Sequence, residues 1–133
     1  MKGPQFLVDT DWIIDHFNRV AKTTARLKEA EKDGLAVSIV SLAELWEGIW
    51  FADDRVKGEM LLRKFLGGVQ VLDIDEETCV HFGRIRGELR RTNQLFGDFD
   101  IIIGATALRH GLTLLSNNRK HFGRIHGLRI ESI

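Results

Sequence analysis

Cysteine and proline are almost absent from this sequence of 133 residues, which contains one of each. A single cysteine, Cys79, can form no internal disulfide and cannot assemble a thiolate metal site. We therefore expect Cys79 to be a small, buried apolar residue. Pro4 precedes the first predicted strand, and no stretch is rich in glycine, serine or one charge sign. This composition argues against linkers and disorder, so we expect residues 1–133 to form one domain.

Long hydrophobic runs are missing as well. A run such as Ile101–Ile103 is far shorter than the roughly 20 apolar residues of a membrane-spanning helix. The first five residues, Met-Lys-Gly-Pro-Gln, lack the apolar segment of a secretory signal peptide. We therefore expect a cytoplasmic protein.

Net charge is absent too, because 19 Lys and Arg side chains balance 19 Asp and Glu side chains. This balance argues against a protein that coats nucleic acid by charge alone. The charges are unevenly distributed: residues 1–81 carry 10 basic and 15 acidic side chains, and residues 82–133 carry 9 and 4. Such a division suits an acidic pocket beside a basic rim that holds a phosphate polymer. It could equally be an ordinary solvated surface.

What the chain does contain is an alternation of short apolar segments with amphipathic ones. The predicted strands are 6–8, 35–40, 69–72 and 112–115, with a short edge strand at 128–130. The predicted helices are 12–32, 41–51, 56–66, 75–91 and 101–110. Strands that alternate with helices predict right-handed crossovers and a mostly parallel sheet covered on both faces. We therefore expect an α/β fold, a three-layer α/β/α sandwich.

Acidic residues gather at one predicted edge of this sheet. Asp9 ends the first strand, Glu44 opens the helix after the second, and Asp98 and Asp100 open the helix before the fourth. In a parallel sheet these positions share the carboxyl edge, where ligands bind. Like charges crowded there repel, so a divalent cation is expected. Hard carboxylate oxygens without cysteine or paired histidine favour Mg²⁺ or Mn²⁺ over Zn²⁺.

A magnesium ion held by few carboxylates keeps several waters. Such a centre can deprotonate a water for in-line attack on a phosphodiester while it neutralises charge on the phosphoryl oxygens. Hydrolysis of nucleic acid is therefore the predicted chemistry. The histidines show no ligand spacing and none is expected to bind the metal: His16, His81, His110, His121 and His126.

Each acid also has a purely structural interpretation. Asp11 and Asp98 are predicted to cap the helices that they precede. Glu44 has the spacing to complete a capping box with Ser41. Asp100 could merely complement the dipole of its helix. Asp9 could merely hydrogen-bond the free amides of the helix that follows it. All of these interpretations would have to hold together to remove the proposed centre.

Four segments of the chain resemble the successive motifs of PIN-domain ribonucleases. They are Leu-Val-Asp-Thr-Asp at 7–11, Ser-Ile-Val-Ser-Leu-Ala-Glu-Leu at 38–45, Gly-Asp-Phe-Asp-Ile-Ile-Ile-Gly-Ala-Thr-Ala at 97–107 and Leu-Leu-Ser-Asn-Asn-Arg-Lys-His-Phe at 114–122. Their order and spacing, with Gly-Leu-Arg-Ile-Glu at 127–131, are most similar to VapC-type toxins of prokaryotic toxin–antitoxin modules. The resemblance covers nearly the whole chain.

The resemblance implies a metal-dependent endoribonuclease that hydrolyses structured RNA such as tRNA. Asp9 and Asp100 match the acids that bind Mg²⁺ or Mn²⁺ in the family, and Glu44 matches the third acid. Asn118 stands where some PIN domains carry a fourth acid, so this chain lacks that ligand. Asn118 and Ser116 can still hydrogen-bond a metal-bound water or an acid. The Asp98 position varies in the family, so no role is transferred to it.

The resemblance also implies two protein partners, a small VapB-like antitoxin whose tail blocks the site and a second copy of the toxin. Bulky side chains on one short helix could line a groove for the antitoxin or could belong to the core: Trp46, Ile49, Trp50 and Phe51. Basic side chains could contact RNA phosphates or form a solvated surface: Arg84, Arg86, Arg90, Arg91, Arg119, Lys120 and Arg124.

The residues also allow two other functions. One is a non-catalytic RNA- or protein-binding module of PIN fold, in which the acids are only a structural cluster. The other is a phosphatase or nucleotide hydrolase. It is less favoured because the sequence has neither a glycine-rich phosphate loop nor an acid pair that matches a phospho-aspartyl nucleophile.

Overall fold

Five parallel strands form the centre of the protein. The structure is a computed structural model, and it describes residues 3–133. The strands are β1 (Phe6–Val8), β2 (Leu35–Ser38), β3 (Val69–Leu72), β4 (Thr113–Leu115) and β5 (Ile130–Glu131). Their order in the sheet is β3-β2-β1-β4-β5, and every neighbouring pair is parallel. The predicted parallel sheet is confirmed, and within the described residues it contains no antiparallel pair.

Helices cover both faces of this sheet. They are α1 (Thr10–Phe17), α2 (Ala21–Glu31), α3 (Ile39–Phe51), α4 (Arg55–Leu66), α5 (Glu76–Arg91), α6 (Asp98–His110) and α7 (Arg119–Phe122). Side chains of α1, α2 and α4 pack into one apolar cluster, and those of α5 to α7 pack into the other; α3 contributes to both, with Leu45 and Ile49 in the first and Val40 in the second. The predicted three-layer sandwich is therefore confirmed. The short helix α7 was not predicted.

The central strands contribute side chains to both clusters, because successive side chains of a strand point to opposite faces of the sheet. Leu7, Ala36 and Leu114 belong to the cluster under α5 and α6. Val8, Val37 and Leu115 belong to the cluster under α1 to α4. All six side chains are fully buried. This double burial explains why the strands appear in the sequence as continuous apolar runs rather than alternating ones.

The second strand is shorter than predicted, because its last predicted residues already belong to α3. Ser38 ends β2 and caps α3, since its Oγ accepts a hydrogen bond of 3.1 Å from the backbone N–H of Val40. Ser41 therefore lies inside the helix, where its hydroxyl is buried and has no partner among the described residues. The capping box of Ser41 with Glu44 is wrong, and Glu44 is free for another contact.

Two further predicted caps are also wrong. The first helix begins at Thr10 with Asp9 as its N-cap, so Asp11 lies in the first turn rather than at the cap. The N-cap of α6 is Gly97, which leaves Asp98 as the first helical residue. In both cases the helix starts earlier than the apolar periodicity suggested, because polar residues fill its exposed first turn. The predicted helix 12–32 is likewise two helices, separated by a left-handed residue, Arg19, with φ 61°.

Cys79 is exposed, which contradicts the expectation that it is buried. Its neighbour Thr78 faces the core and is fully buried. Because adjacent helical residues point about 100° apart, Cys79 faces away from the core on α5. No helix within residues 3–133 is long and apolar enough to cross a membrane.

Asp75 anchors the start of α5, and its loss is expected to destabilise the protein. Its Oδ1 accepts from the N–H (2.8 Å) and Oγ1 (2.7 Å) of Thr78, and Arg109 Nε lies 3.0 Å from its Oδ2. These contacts lower the pKa of Asp75 to about 2. We expect Asp75→Ala to lower the Tm at pH 7 by roughly 3–6 °C, as loss of a helix cap does.

The pH dependence of this effect identifies its cause. Because the folded pKa lies below the unfolded value of 3.8, the stabilisation is complete above about pH 5 and is lost as the pH falls toward 2. Thermal melts of wild type and variant should therefore converge in that range. Asp73→Ala, at an exposed position two residues earlier, is the control. A Tm difference that is the same at pH 3 and pH 7 would contradict the assignment.

Candidate active site

Three of the predicted acids lie at the carboxyl edge of the sheet. Asp9 directly follows β1 and is 5% exposed. Glu44 is half-buried in the second turn of α3, one turn later than predicted because the helix starts at Ile39. Asp100 lies in the first turn of α6, and 27% of its side chain is exposed.

Asp9 is held by two hydrogen bonds, one to each carboxylate oxygen. Ser116 Oγ donates to Oδ2 at 2.7 Å, and the backbone N–H of Thr10 donates to Oδ1 at 2.8 Å. Ser116 follows β4, which is the neighbour of β1 in the sheet. The Ser116 hydroxyl also accepts from the backbone N–H of Asn118 at 3.0 Å. Pairing of β1 with β4 therefore creates the contact on which the position of Asp9 depends.

The other two acids are attached to the same group through polar side chains. Thr10 Oγ1 donates to Glu44 Oε1 at 2.8 Å, which joins α1 to α3. Asp100 Oδ2 lies 3.4 Å from Asn118 Nδ2 and 3.2 Å from His121 Nδ1. A continuous series of contacts connects the acids: Glu44, Thr10, Asp9, Ser116, Asn118, Asp100 and His121. We call these residues the acidic centre.

Burial makes the negative charge of this centre costly. It raises the pKa of Asp9 to about 7, helped by the charge of Asp11 and opposed by the hydrogen bonds from Ser116 and Thr10. Burial also raises the pKa of Glu44, opposed by the Thr10 hydroxyl and assisted by the charge of Asp100. Within residues 3–133, no lysine or arginine forms an ion pair with any of the three acids. The one basic side chain in contact with these acids, among the described residues, is His121 beside Asp100.

This donor set fits a hard divalent cation in chemistry and in charge. Asp9, Glu44 and Asp100 supply only carboxylate oxygens, which Mg²⁺ and Mn²⁺ prefer. As the side chains stand, no group of three His, Cys, Asp or Glu residues within 3–133 forms a ready metal cage. The acids are instead joined through hydroxyl and amide groups. Such a centre suits an ion that keeps several of its waters.

Sequence reasoning missed three members of this region, Thr10, Asp11 and His121, and grouped Asp98 with acids that it does not join. Asp11 lies beside Asp9, and its Oδ2 accepts from the backbone N–H of Asn117 at 3.3 Å. Thr10 links two acids, a role for which the sequence offers no signal beyond its place between Asp9 and Asp11. Asp98, by contrast, points away to Arg86, whose Nε lies 3.0 Å from its Oδ1. Burial raises the pKa of Asp11, so its charge is also poorly solvated.

The acidic centre lies away from the cavity at the amino ends of the strands. A cavity of about 750 Å³ lies beside the amino ends of β1, β2 and β3, lined by residues including Gln5, Gly34 and Val69. Parallel strands carry their amino and carboxyl ends at opposite edges, so this cavity is remote from the acids.

Comparison with known proteins agrees with this architecture. Residues 6–128 match the model of the PIN domain family. The chain is 30% identical to Ribonuclease VapC2 of Haemophilus influenzae over 128 residues, which cover 96% of this chain and 97% of that one. This chain is a PIN-domain protein of the VapC type. The resemblance inferred from its four motifs is confirmed.

Two further PIN-domain relatives bear on function. The tRNA(fMet)-specific endonuclease VapC of Shigella flexneri is 29% identical over 96% of both chains. A crystal structure of VapBC2 from Rickettsia felis, bound to a DNA fragment from its promoter, superposes with a TM-score of 0.91. That chain is 25% identical, and the alignment covers 96% of this chain and 98% of that one.

Replacing Asp9 with asparagine should stabilise the metal-free protein. Because the folded pKa of about 7 exceeds the unfolded 3.8, the destabilisation by ionised Asp9 is complete above about pH 7 and disappears as the pH falls from 7 toward 3.8. Asparagine keeps the size and never ionises. Its amide oxygen can accept from the Thr10 N–H, while its own N–H would donate to Ser116 Oγ in place of the bond that Asp9 accepts. We expect Asp9→Asn to raise the Tm in EDTA at pH 8 by roughly 3–8 °C and to approach wild type near pH 4.

Asp53→Asn, at an exposed position outside the centre, is the matched control and should leave the Tm unchanged at both pH values. Equal or lower stability of Asp9→Asn at pH 8 would show that burial of the Asp9 charge is not costly.

Proposed function

We propose that this chain is a Mg²⁺- or Mn²⁺-dependent endoribonuclease, the toxin of a VapBC-type module, acting in the cytoplasm on tRNA as a single catalytic domain. The main support is the acidic centre, in which a series of hydrogen bonds joins three carboxylates from distant parts of the chain and none of them pairs with a lysine or arginine among the described residues. Asp9, Glu44 and Asp100 would hold the ion. The relatives named ribonuclease and tRNA-specific endonuclease support the reaction and the substrate class.

The bound cation would supply an activated water and neutralise charge on the phosphoryl oxygens. Hydrogen bonds within the protein orient the carboxylates that would hold the ion. Ser116 and Thr10 orient Asp9 through both carboxylate oxygens, and Thr10 also orients Glu44. Enclosure of Asp9 removes competing water and strengthens its attraction for a cation. Asn118 connects Ser116 to Asp100, so ligands from β1 and α6 move as one unit.

Among the basic residues proposed for RNA contact, the geometry favours Lys120. It is exposed on α7, next to His121, and forms no ion pair among the described residues. Arg84 and Arg86 are instead engaged by Glu88 and Asp98. Lys120 is therefore free to contact a phosphate, and Arg90 and Arg91, also exposed and outside the ion pairs described, could extend the contact along α5.

The α3–α4 face is our proposed contact for the antitoxin. The bulky residues of α3 divide between core and surface: Ile49 is buried, whereas Trp50 is 67% and Phe51 92% exposed. Val56 and Met60 of α4 are also exposed and line a shallow cavity of about 480 Å³. Contiguous exposed apolar surface of this kind marks a partner site. The VapBC2 structure from Rickettsia felis supports a VapB-like occupant. A toxin homodimer remains a prediction.

Loss of any ligand acid should abolish cleavage. We expect Asp9→Asn, Glu44→Gln and Asp100→Asn each to lower the rate on tRNA by at least about 100-fold, since removal of a ligand costs more than the 10–100-fold typical of its supporting contacts. EDTA should stop the wild-type reaction, and Mg²⁺ or Mn²⁺ should restore it. Initiator tRNA is the first substrate to test.

Glu47→Gln is the matched control, because Glu47 is an exposed acid three residues from Glu44 on the same helix. It should cleave like wild type. Cleavage that persists in EDTA and in Asp9→Asn would reject a metal-dependent nuclease. Binding of tRNA without cleavage under any metal condition would favour the non-catalytic module.

The α3–α4 face can be tested separately from catalysis. We expect the double variant Trp50→Ser, Phe51→Ser to weaken binding to a VapB-like antitoxin by at least about 30-fold, as loss of buried aromatic contacts does. Calorimetry with the purified antitoxin measures the affinity. Val80→Ser removes an exposed apolar side chain from α5 and should leave the affinity unchanged. Equal affinities for both variants would place the antitoxin elsewhere.

A further inference from the structure

Asp100 is oriented by a different kind of donor from the other two acids. Asp9 and Glu44 accept hydrogen bonds from hydroxyl groups of Ser116 and Thr10. Asp100 Oδ2 instead lies 3.2 Å from Nδ1 of His121, a ring nitrogen on α7. His121 is the one histidine within residues 3–133 that touches a member of the predicted acid triad.

The ring of His121 is held in place by an aromatic stack. It lies parallel to the ring of Phe96, with 4.8 Å between centroids and 10° between planes. Phe96 in turn contacts the fully buried Phe122 edge-on, at 6.4 Å and 76°. The guanidinium of Arg124 lies 5.9 Å from the centroid of Phe96. Such stacking restricts rotation of the imidazole and so fixes the direction in which Nδ1 points.

The hydrogen bond to Asp100 requires one particular tautomer of His121. A carboxylate oxygen only accepts, so we assign the hydrogen to Nδ1, which then donates to Asp100 Oδ2. Asn118 Nδ2 donates to the same oxygen at 3.4 Å, while Asn118 Oδ1 accepts from the backbone N–H of His121 at 3.4 Å. Asn118 Nδ2 also lies 3.1 Å from His121 Nδ1, and with the hydrogen on Nε2 this Nδ1 would accept from Asn118 instead of donating to Asp100.

We propose that His121 is a positioning residue that holds the Asp100 carboxylate in its ligand orientation through the hydrogen bond from Nδ1. The inference rests on the proposed function, because the benefit of a fixed Asp100 is tighter binding of the divalent cation. Contacts of this kind around a ligand affect metal affinity and turnover by about 10–100-fold. The competing explanation is that the His121 ring only packs on Phe96.

Two substitutions separate the hydrogen bond from the packing. His121→Phe keeps a ring for the stack and removes the donor. His121→Asn removes the ring and places an amide N–H near the former Nδ1. We expect His121→Phe to weaken Mn²⁺ binding, measured by calorimetry on the full chain, by about 10–100-fold. The kcat on tRNA should fall with it while KM is unchanged. His121→Asn should recover most of the affinity.

His126→Phe is the matched control, since His126 is exposed and outside the acidic centre. If His121→Phe does not fold, comparison of His121→Asn with His121→Ala gives the same answer. Wild-type Mn²⁺ affinity in His121→Phe would overturn the proposal, as would His121→Asn binding no better than His121→Ala. Cleavage by Asp9→Asn at the wild-type rate would reject the nuclease centre itself. The Mn²⁺ affinities of the His121 variants would then test the role of His121 independently of catalysis.

Discussion

A carboxylate buried at the end of a central strand destabilises the fold, and the hydrogen bonds around Asp9 partly compensate for that cost. Removal of a charged group from water is unfavourable unless hydrogen bonds or an opposite charge compensate. Asp9 receives two hydrogen bonds and no basic side chain, and its pKa is raised to about 7. The two donors come from neighbouring elements. Thr10 is the first residue of α1, and Ser116 follows β4, the strand adjacent to β1.

The parallel sheet is the reason that the centre can exist. Each crossover returns the chain to the same edge, so the ends of β1 and β4 and the starts of α3 and α6 come together although they are far apart in sequence. Helix starts also bring their positive ends toward this edge, which partly offsets the negative charge. The fold thereby concentrates acids where hydroxyl and amide donors can orient them.

Strand positions were predictable because apolar side chains that pack on the core leave a local trace. Phe6–Val8 is an unbroken apolar run, and Val69–Leu72, at the edge of the sheet, is apolar except for the exposed Gln70; the bounds of both strands were right. Helix starts were less predictable. Ser38 and Ser41 are both plausible caps, as are Asp9 and Asp11, and only the path of the chain selects the first of each pair. Cys79 shows the same limit. Polar and apolar residues are mixed along α5, so its sequence does not indicate which residues face solvent.

Chain order alone was enough to predict an α/β sandwich and to mark Asp9, Glu44 and Asp100 as acids of one edge, because strand and helix periodicities are local properties and parallel topology follows from their alternation. Whether Glu44 bonds Ser41 or Thr10, and whether His121 reaches Asp100, depended on three-dimensional packing. Those contacts join residues separated by 34 and 21 positions, and no local pattern encodes them. Strand order and the aromatic stack under His121 bring such residues within hydrogen-bond distance.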